Sequence, residues 1–199
     1  MSLPARYFAD MYAAGPDPWG FRDRWYEQRK RALTLACLPR RHFRRGVEGG
    51  CSNGELTAGL AERCGEVIGI EVDPAALAAA TERLAGLPVT LRQGSLPGDW
   101  PAGPYDLAVL SEVLYYLDEP AVAALGAQVL DGLAADGVVL ACHWRHPVAD
   151  YPQTGDAVHA QLAAALRLPR LVHHAEADLV LEVWGRDGRS VADVEGLLG

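Results

Sequence analysis

Val47-Glu48-Gly49-Gly50-Cys51-Ser52-Asn53-Gly54-Glu55-Leu56-Thr57 is an apolar run that enters a glycine-rich turn and leaves it as a helix-like segment. A second apolar run, Val67-Ile68-Gly69-Ile70-Glu71-Val72-Asp73-Pro74, then ends in acid. Strand, tight turn, helix and acid-tipped strand in that order build a nucleoside pocket at the carboxyl ends of parallel strands. Gly50 and Gly54 carry no Cβ, so the backbone there can approach a ligand closely. Glu71, at the tip of the second strand, offers two oxygens to a pair of ribose hydroxyls.

Outward from this stretch the pattern repeats. Residues 7–14 and 23–37 have a helical period, separated by Gly15-Pro16-Asp17-Pro18-Trp19-Gly20, where two prolines forbid a continuous helix. A strand ends at Glu48; 54–63 reads as a helix, 66–71 as a strand, and 74–85 as an Ala-rich helix with Pro74 in its first turn. Strands are expected at Val89–Arg92, Tyr105–Leu110 and Gly137–His143, the last turned by Ala135-Asp136-Gly137, with a helix over 119–132. After a Pro- and Gly-containing loop at 145–155, residues 156–166 read as a helix, and Arg170–Ala175 and Asp178–Trp184 as a closing strand pair. Only Glu176-Ala177 separates that pair, too short for a parallel crossover, so the two strands are antiparallel. The expected fold is α/β, a doubly wound, mostly parallel seven-stranded sheet with an antiparallel last strand. A single domain over residues 1–199 suffices, with 1–40 as a helical N-terminal cap.

The cofactor class follows from charge and spacing. A dinucleotide needs a pyrophosphate seat, normally G-x-G-x-x-G, and glycines at 49, 50 and 54 break that pattern. Glu48, just before the turn, repels a diphosphate. It suits a cationic ligand with a free amino group, and S-adenosyl-L-methionine is one.

The net charge of −8, from 18 basic and 26 acidic residues, argues against nucleic acid or an anionic membrane as partner. Nine of the 18 basic residues lie between Arg22 and Arg45. They read either as a solvated helix face or as a seat for an anionic group on the substrate. Cys37, Cys51, Cys64 and Cys142 have neither C-x-x-C nor zinc spacing and read as thiols in apolar or turn settings, with no metal site. No secretory leader pattern and no membrane-length apolar stretch is visible, and a reducing cytoplasm is the expected location.

Glu48, Gly50, Gly54 and Glu71 in this order resemble the class I S-adenosyl-L-methionine-dependent methyltransferases. The likeness continues along the chain. Gln93-Gly94-Ser95-Leu96-Pro97 stands where such enzymes often have an acid that bonds the adenine amino group, and this chain has Ser95 there. Asp106 matches an acid with a structural role, Ser111-Glu112-Val113-Leu114-Tyr115-Tyr116-Leu117 matches the segment facing the sulfonium end, and Leu133-Ala134-Ala135-Asp136-Gly137 keeps part of a Leu-Lys-Pro-Gly-Gly turn. A finer resemblance is to the NodS-type N-methyltransferases. It rests on Asp17-Pro18-Trp19 with Phe21, Tyr26-Glu27 with Lys30, the 111–117 segment, and His143-Trp144-Arg145 ahead of Thr154-Gly155-Asp156-Ala157-Val158-His159. That branch methylates the free amine of a de-N-acetylated glucosamine unit, so the resemblance implies an amino-sugar or similar small amine acceptor.

The resemblance implies a cofactor site of Trp19, Glu48, Gly50, Cys51, Gly54, Glu71, Ser95, Leu96 and Ser111. An amine must be neutral to attack, so a general base is needed. Glu112 and His143 both fall at strand ends on the ligand edge and are the catalytic candidates; either could instead be structural. Tyr115, Tyr116 and Arg145 are the substrate-binding candidates. One tyrosine of the pair should pack inward and the other face the ligand. Trp19, in a proline-flanked loop, reads as an aromatic lid over a cation or as an ordinary core residue. His173 and His174 alternate faces on a strand and do not readily share a metal.

The expected function is therefore N-methylation of the free amine of an amino sugar or similar small metabolite, with S-adenosyl-L-methionine as cofactor and a small-molecule amine or sugar as substrate, by a monomer or homodimer. The rivals are a small-molecule O-methyltransferase and a non-catalytic S-adenosyl-L-methionine-binding protein. Ser52, standing in place of the middle glycine usual in the resembled motif, and Ser95, in place of the usual acid, favour the latter, and an NAD-dependent oxidoreductase fits the glycine spacing poorly.

Overall fold

A computed structural model of the chain describes residues 1–198. Two helices, α1 (Ala5–Ala13) and α2 (Trp25–Ala36), precede β1 (Phe43–Gly49). There follow α3 (Glu55–Ala61), β2 (Cys64–Glu71), α4 (Pro74–Arg83), β3 (Val89–Gln93), β4 (Tyr105–Ser111), α5 (Glu119–Gly132) and β5 (Leu133–Trp144). The chain continues through α6 (Gly155–Leu166), β6 (Arg170–Ala175) and β7 (Leu179–Gly185) to a one-turn α7 (Val191–Val194).

The seven strands form one sheet in the order β3-β2-β1-β4-β5-β7-β6. The first five in that order pair in parallel, and β7 runs antiparallel between β5 and β6. Two helical layers explain why β4 reads as an unbroken apolar run: Leu107, Ala108, Val109 and Leu110 are all fully buried. Ala108 and Leu110 pack with Val122, Leu125, Val158 and Leu162 of α5 and α6. Leu107 and Val109 face the opposite layer with Leu60 of α3 and Leu38 just past α2.

Local chemistry sets most helix starts. Asp73 accepts from the N–H groups of Ala75 and Ala76 at 2.9 and 3.0 Å, with Pro74 at the first helical position of α4. Asp118 caps α5 through Ala121 and Thr154 caps α6 through Ala157. Asp106 clamps the start of β1 to β4, accepting from the N–H groups of Arg44 and Arg45 at 3.0 and 2.9 Å.

Most expected element ends shift by one or two residues, α7 is not expected from the sequence, and the largest boundary difference lies at the start of β5. The turn expected at Ala135-Asp136-Gly137 is absorbed into β5, which begins at Leu133. Its register against β4 jumps from Tyr105↔Leu133 to Leu107↔Val138, an irregularity that accommodates the extra residues inside the strand. No helix among the described residues is long and apolar enough to cross a membrane.

Candidate active site

The strand order reverses between β1 and β4, and a crevice opens there at the carboxyl ends of the strands. It holds a cavity of about 1120 Å³, counted out to its open mouth. The walls are the turn after β1, the tip of β2, the end of β4, and side chains of the N-terminal segment.

The turn is built by backbone conformation. Gly50 has φ +73°, and a Cβ there would stand 3.0 Å from Val113 Cγ2. Gly54 has φ +80° and starts α3; a Cβ on it would meet Leu84 and Ala80. Gly54 therefore shapes the turn and does not itself border the cavity, unlike Gly50 and Cys51. Ser52, where glycine is common, is left-handed as well, with φ 49°. Its strain is offset by two bonds: its N–H donates to Glu71 Oε2 at 2.8 Å, and its hydroxyl pairs with the Tyr12 hydroxyl at 2.5 Å. The turn thus forms with serine in place, which removes that argument for a protein without catalysis.

Two buried acids face this turn. Glu48 is 2% exposed and accepts from the Thr57 hydroxyl at 2.6 Å. Burial pushes its carboxyl up to about 7; the Thr57 bond opposes this and Glu71 adds to it. Glu71 accepts from the N–H groups of Ser52, Val72 and Asp73. Burial raises its carboxyl as well, against those three bonds. A carboxylate has about four acceptor sites, so Glu71 keeps capacity for a ligand hydroxyl. Asn53 lines the same cavity, is 2% exposed, and finds no partner for either amide atom among the described residues. Orphaned buried polar atoms of this kind fit a site completed by a polar ligand. Cys51, Ser95, Leu96 and Ser111 border the cavity too. The N–H of Ser95 is held by Asp99 at 2.8 Å.

The N-terminal segment supplies an aromatic wall. Trp19 lies half-buried on the cavity between Tyr12, with ring centroids 5.4 Å apart, and Phe21, at 5.6 Å. Tyr12 had no signal in sequence beyond its place on an amphipathic helix.

At the end of β4, Glu112 adopts φ 55°. Its Oε1 takes Lys30 Nζ at 2.8 Å, and its Oε2 takes the Tyr115 hydroxyl and the N–H of Trp144. Lys30, 4% exposed, also sits 2.8 Å from Glu27 and lies over the Tyr26 ring. Burial pulls the Lys30 ammonium down, but Glu112 and Glu27 outweigh it, and the net direction is up. Burial raises Glu27 despite Lys30. Lys30 and Glu27 were visible only as part of a resembling motif; three-dimensional pairing with Glu112 is what makes them part of the site.

The remaining candidates separate. Tyr116 borders the cavity, while Tyr115 is buried with its ring stacked on Tyr151 at 4.9 Å, the split that alternating neighbours predict. His143 is fully buried and does not border the cavity. Its Nε2 receives the N–H of Leu114 at 3.1 Å and its Nδ1 faces His159 at 3.0 Å, so it has no free nitrogen to serve as a base. Arg145 also misses the cavity: its guanidinium is bound to Asp156 and to the Glu176 carbonyl. The basic cluster is paired off as well. Seven of the nine residues between Arg22 and Arg45 contact acids, which leaves no seat for an anion along most of its length. His173 and His174 go to different acids, Glu182 and Glu176.

Residues 47–137 match a methyltransferase domain family. A Pseudomonas syringae protein, provisionally assigned as a methyltransferase, has a crystal structure that superimposes with a TM-score of 0.73 at 46% identity, covering 82% of this chain and 100% of that one. The N-methyltransferase NodS from Bradyrhizobium japonicum WM9, in complex with S-adenosyl-L-homocysteine, superimposes with a TM-score of 0.79 at 22% identity, covering 91% of this chain and 97% of that one. A provisionally assigned O-methyltransferase of Nostoc punctiforme PCC 73102 shares the fold at 16% identity with a TM-score of 0.65, covering 87% of this chain and 59% of that one. No curated protein sequence matches. At 46% identity to the Pseudomonas protein over 82% of its own length, and with this strand order and crevice, this chain belongs to the methyltransferase-domain family, as a class I S-adenosyl-L-methionine-dependent enzyme.

Proposed function

We propose that the protein transfers a methyl group to the nitrogen of a small amine, with amino sugars as the acceptor class. The observation that carries this reading is the charge of the cavity. Five acidic side chains line it, Glu27, Glu48, Glu55, Glu71 and Glu112; Lys30 pairs with Glu27 and Glu112, and Arg22, Arg31 and Arg83 pair with Glu55, so among the described residues Glu48 and Glu71 have no cation beside them. Such a wall attracts cationic ligands and repels anionic ones. An amine acceptor reaches the site as an ammonium and fits this field; the NodS-like fold is consistent with it.

When bound, the cofactor supplies an activated methyl on a sulfonium leaving group. Glu48 would hold its amino group and Glu71 its ribose, with Asn53 completing the polar wall. Tyr12, Trp19 and Phe21, in the segment we read as a cap over residues 1–40, exclude water. Glu112 takes the proton that the acceptor ammonium must lose before its nitrogen can attack. Its bonds to Lys30, Tyr115 and Trp144 fix the carboxylate at the wall, and pre-organisation of that kind keeps donor and acceptor in reach.

The test is methyl transfer to de-N-acetylated chitooligosaccharides, free amino sugars and matched hydroxyl acceptors. Glu112→Gln should lower kcat by about 10²–10⁴-fold with cofactor affinity unchanged. Turnover of hydroxyl acceptors alone would replace the amine reading, and full activity in Glu112→Gln would remove that residue from the mechanism.

A further inference from the structure

Behind the cavity wall a chain of buried side chains runs from the end of β4 to the far side of β7. The N–H groups of Val113 and Leu114 point at His143 Nε2, at 3.4 and 3.1 Å. His143 Nδ1 faces His159 Nε2 at 3.0 Å, and His159 Nδ1 faces Glu182 Oε2 at 2.8 Å. The other Glu182 oxygen takes Arg170 Nη1 at 2.7 Å and His173 Nδ1 at 3.0 Å. His143, His159 and Glu182 are all at most 5% exposed.

The direction of every bond in this chain follows from its first member. A backbone N–H can only donate, so His143 Nε2 presents its lone pair and carries its hydrogen on Nδ1. That hydrogen points at His159 Nε2, which must then be the acceptor, and the His159 hydrogen lies on Nδ1, toward the carboxylate. An imidazolium at either position would set two N–H groups face to face. Both rings are therefore neutral, and burial keeps His143 well below the usual imidazole range, with the Lys30 charge acting in the same direction.

We propose that His143, His159 and Glu182 are positioning residues that hold Glu112 in its working conformation, with both rings locked in the Nδ1–H form. The proposal rests on the reading of Glu112 as the proton acceptor. Glu112 has a left-handed backbone that a non-glycine residue keeps only when its surroundings over-determine it. The relay grips the two residues that follow, through the N–H groups of Val113 and Leu114. It grips Glu112 a second way: the His143 ring packs edge-on to Tyr115, with centroids 5.2 Å apart, and the Tyr115 hydroxyl bonds Glu112 Oε2. Glu182 anchors the far end; its hydrogen bonds from His159, Arg170 and His173 outweigh burial and hold its carboxyl down at about 2. The anchor therefore remains ionised across the neutral range.

Two measurements test this, one of them independent of turnover. Long-range proton–nitrogen spectra of the nitrogen-15-labelled enzyme, assigned with His143→Gln and His159→Gln, should show the Nδ1–H tautomer at both rings at neutral pH. An Nε2–H tautomer or an imidazolium at either ring overturns the relay, whatever the acceptor proves to be. Glu182→Leu removes the anchor, whereas Glu182→Gln keeps an acceptor oxygen for His159. The Leu variant should lose about tenfold or more in kcat, the scale of a small misplacement of a reacting group. Its cofactor affinity should be unchanged, and hydrogen exchange at Val113 and Leu114 should be faster. The Gln variant should recover most of both. Wild-type kcat and wild-type exchange in Glu182→Leu would overturn the positioning role. Faster exchange with unchanged kcat would keep the relay as a structural link and overturn its positioning of Glu112, whose own role Glu112→Gln tests separately.

Discussion

Binding of S-adenosyl-L-homocysteine should tighten by about two orders of magnitude between pH 5 and pH 7 and level off above it, because of Glu48. The free protein holds this carboxyl at about 7, chiefly through burial. Below that value the group carries a proton, and the ammonium of the ligand pairs only with the ionised form. Each pH unit below 7 therefore costs one factor of ten, or about 1.4 kcal/mol, to expel the proton on binding. Two units give about 2.7 kcal/mol, provided the bound complex ionises near the ordinary glutamate range. Calorimetry near pH 6 in two buffers of different ionisation enthalpy should report release of close to one proton. Glu48→Gln should flatten the profile at the weak limit. The unliganded protein should respond oppositely. An acid whose folded pKa lies above its unfolded one contributes stability at low pH and loses it as pH rises through 7, here by about 3 kcal/mol. Affinity that is flat from pH 5 to 8, with no proton released, would refute the assignment of Glu48 to the ligand's amino group.

Lys30→Met should lower unfolding free energy by about 3–5 kcal/mol in denaturant titrations, because it leaves Glu27 and Glu112 buried without their shared cation. Glu71→Ala should weaken S-adenosyl-L-homocysteine binding by about 1.5–3 kcal/mol in calorimetry. Trp19→Ala should raise the cofactor dissociation constant while the melting temperature holds, since the ring lies half-buried on the cavity rather than in the core; a melting-temperature loss with unchanged affinity would count against it. Asn53→Ala should leave the free protein as stable or more so, since it removes two unpartnered buried atoms, and should weaken cofactor binding; paired thermal melts with and without ligand separate the two effects.

The fold was legible because its determinants are local or periodic. Asp73-Pro74 and Thr154 cap helices through bonds spanning two or three residues, which a sequence displays directly. The run Leu107–Leu110 announces a strand covered on both faces, and the short gap after Ala175, three residues in the structure, forces an antiparallel pair. The start of β5 was missed for the complementary reason. Ala135-Asp136-Gly137 has turn composition, and only pairing with Tyr105 across the sheet keeps Leu133–Asp136 in the strand. Tertiary contact overrode the local preference.

The site was legible in the same unequal way. Glu48, Gly50 and Glu71 sit in one strand–turn–helix–strand unit, so their order reveals their place. Ser52 and Glu112 are left-handed without being glycine, and what holds each of them comes from distant parts of the chain. Tyr12 reaches Ser52 across 40 positions and Lys30 reaches Glu112 across 82. No local pattern encodes either contact. His143 shows the limit most clearly. A histidine at the ligand edge of a strand has the composition and placement of a general base. Whether it acts as one depends on where its lone pair points, and here the pair is taken by the N–H of Leu114, 29 positions away. Of the two candidates only Glu112 lines the cavity, which is why we propose it, and not the histidine, as the proton acceptor.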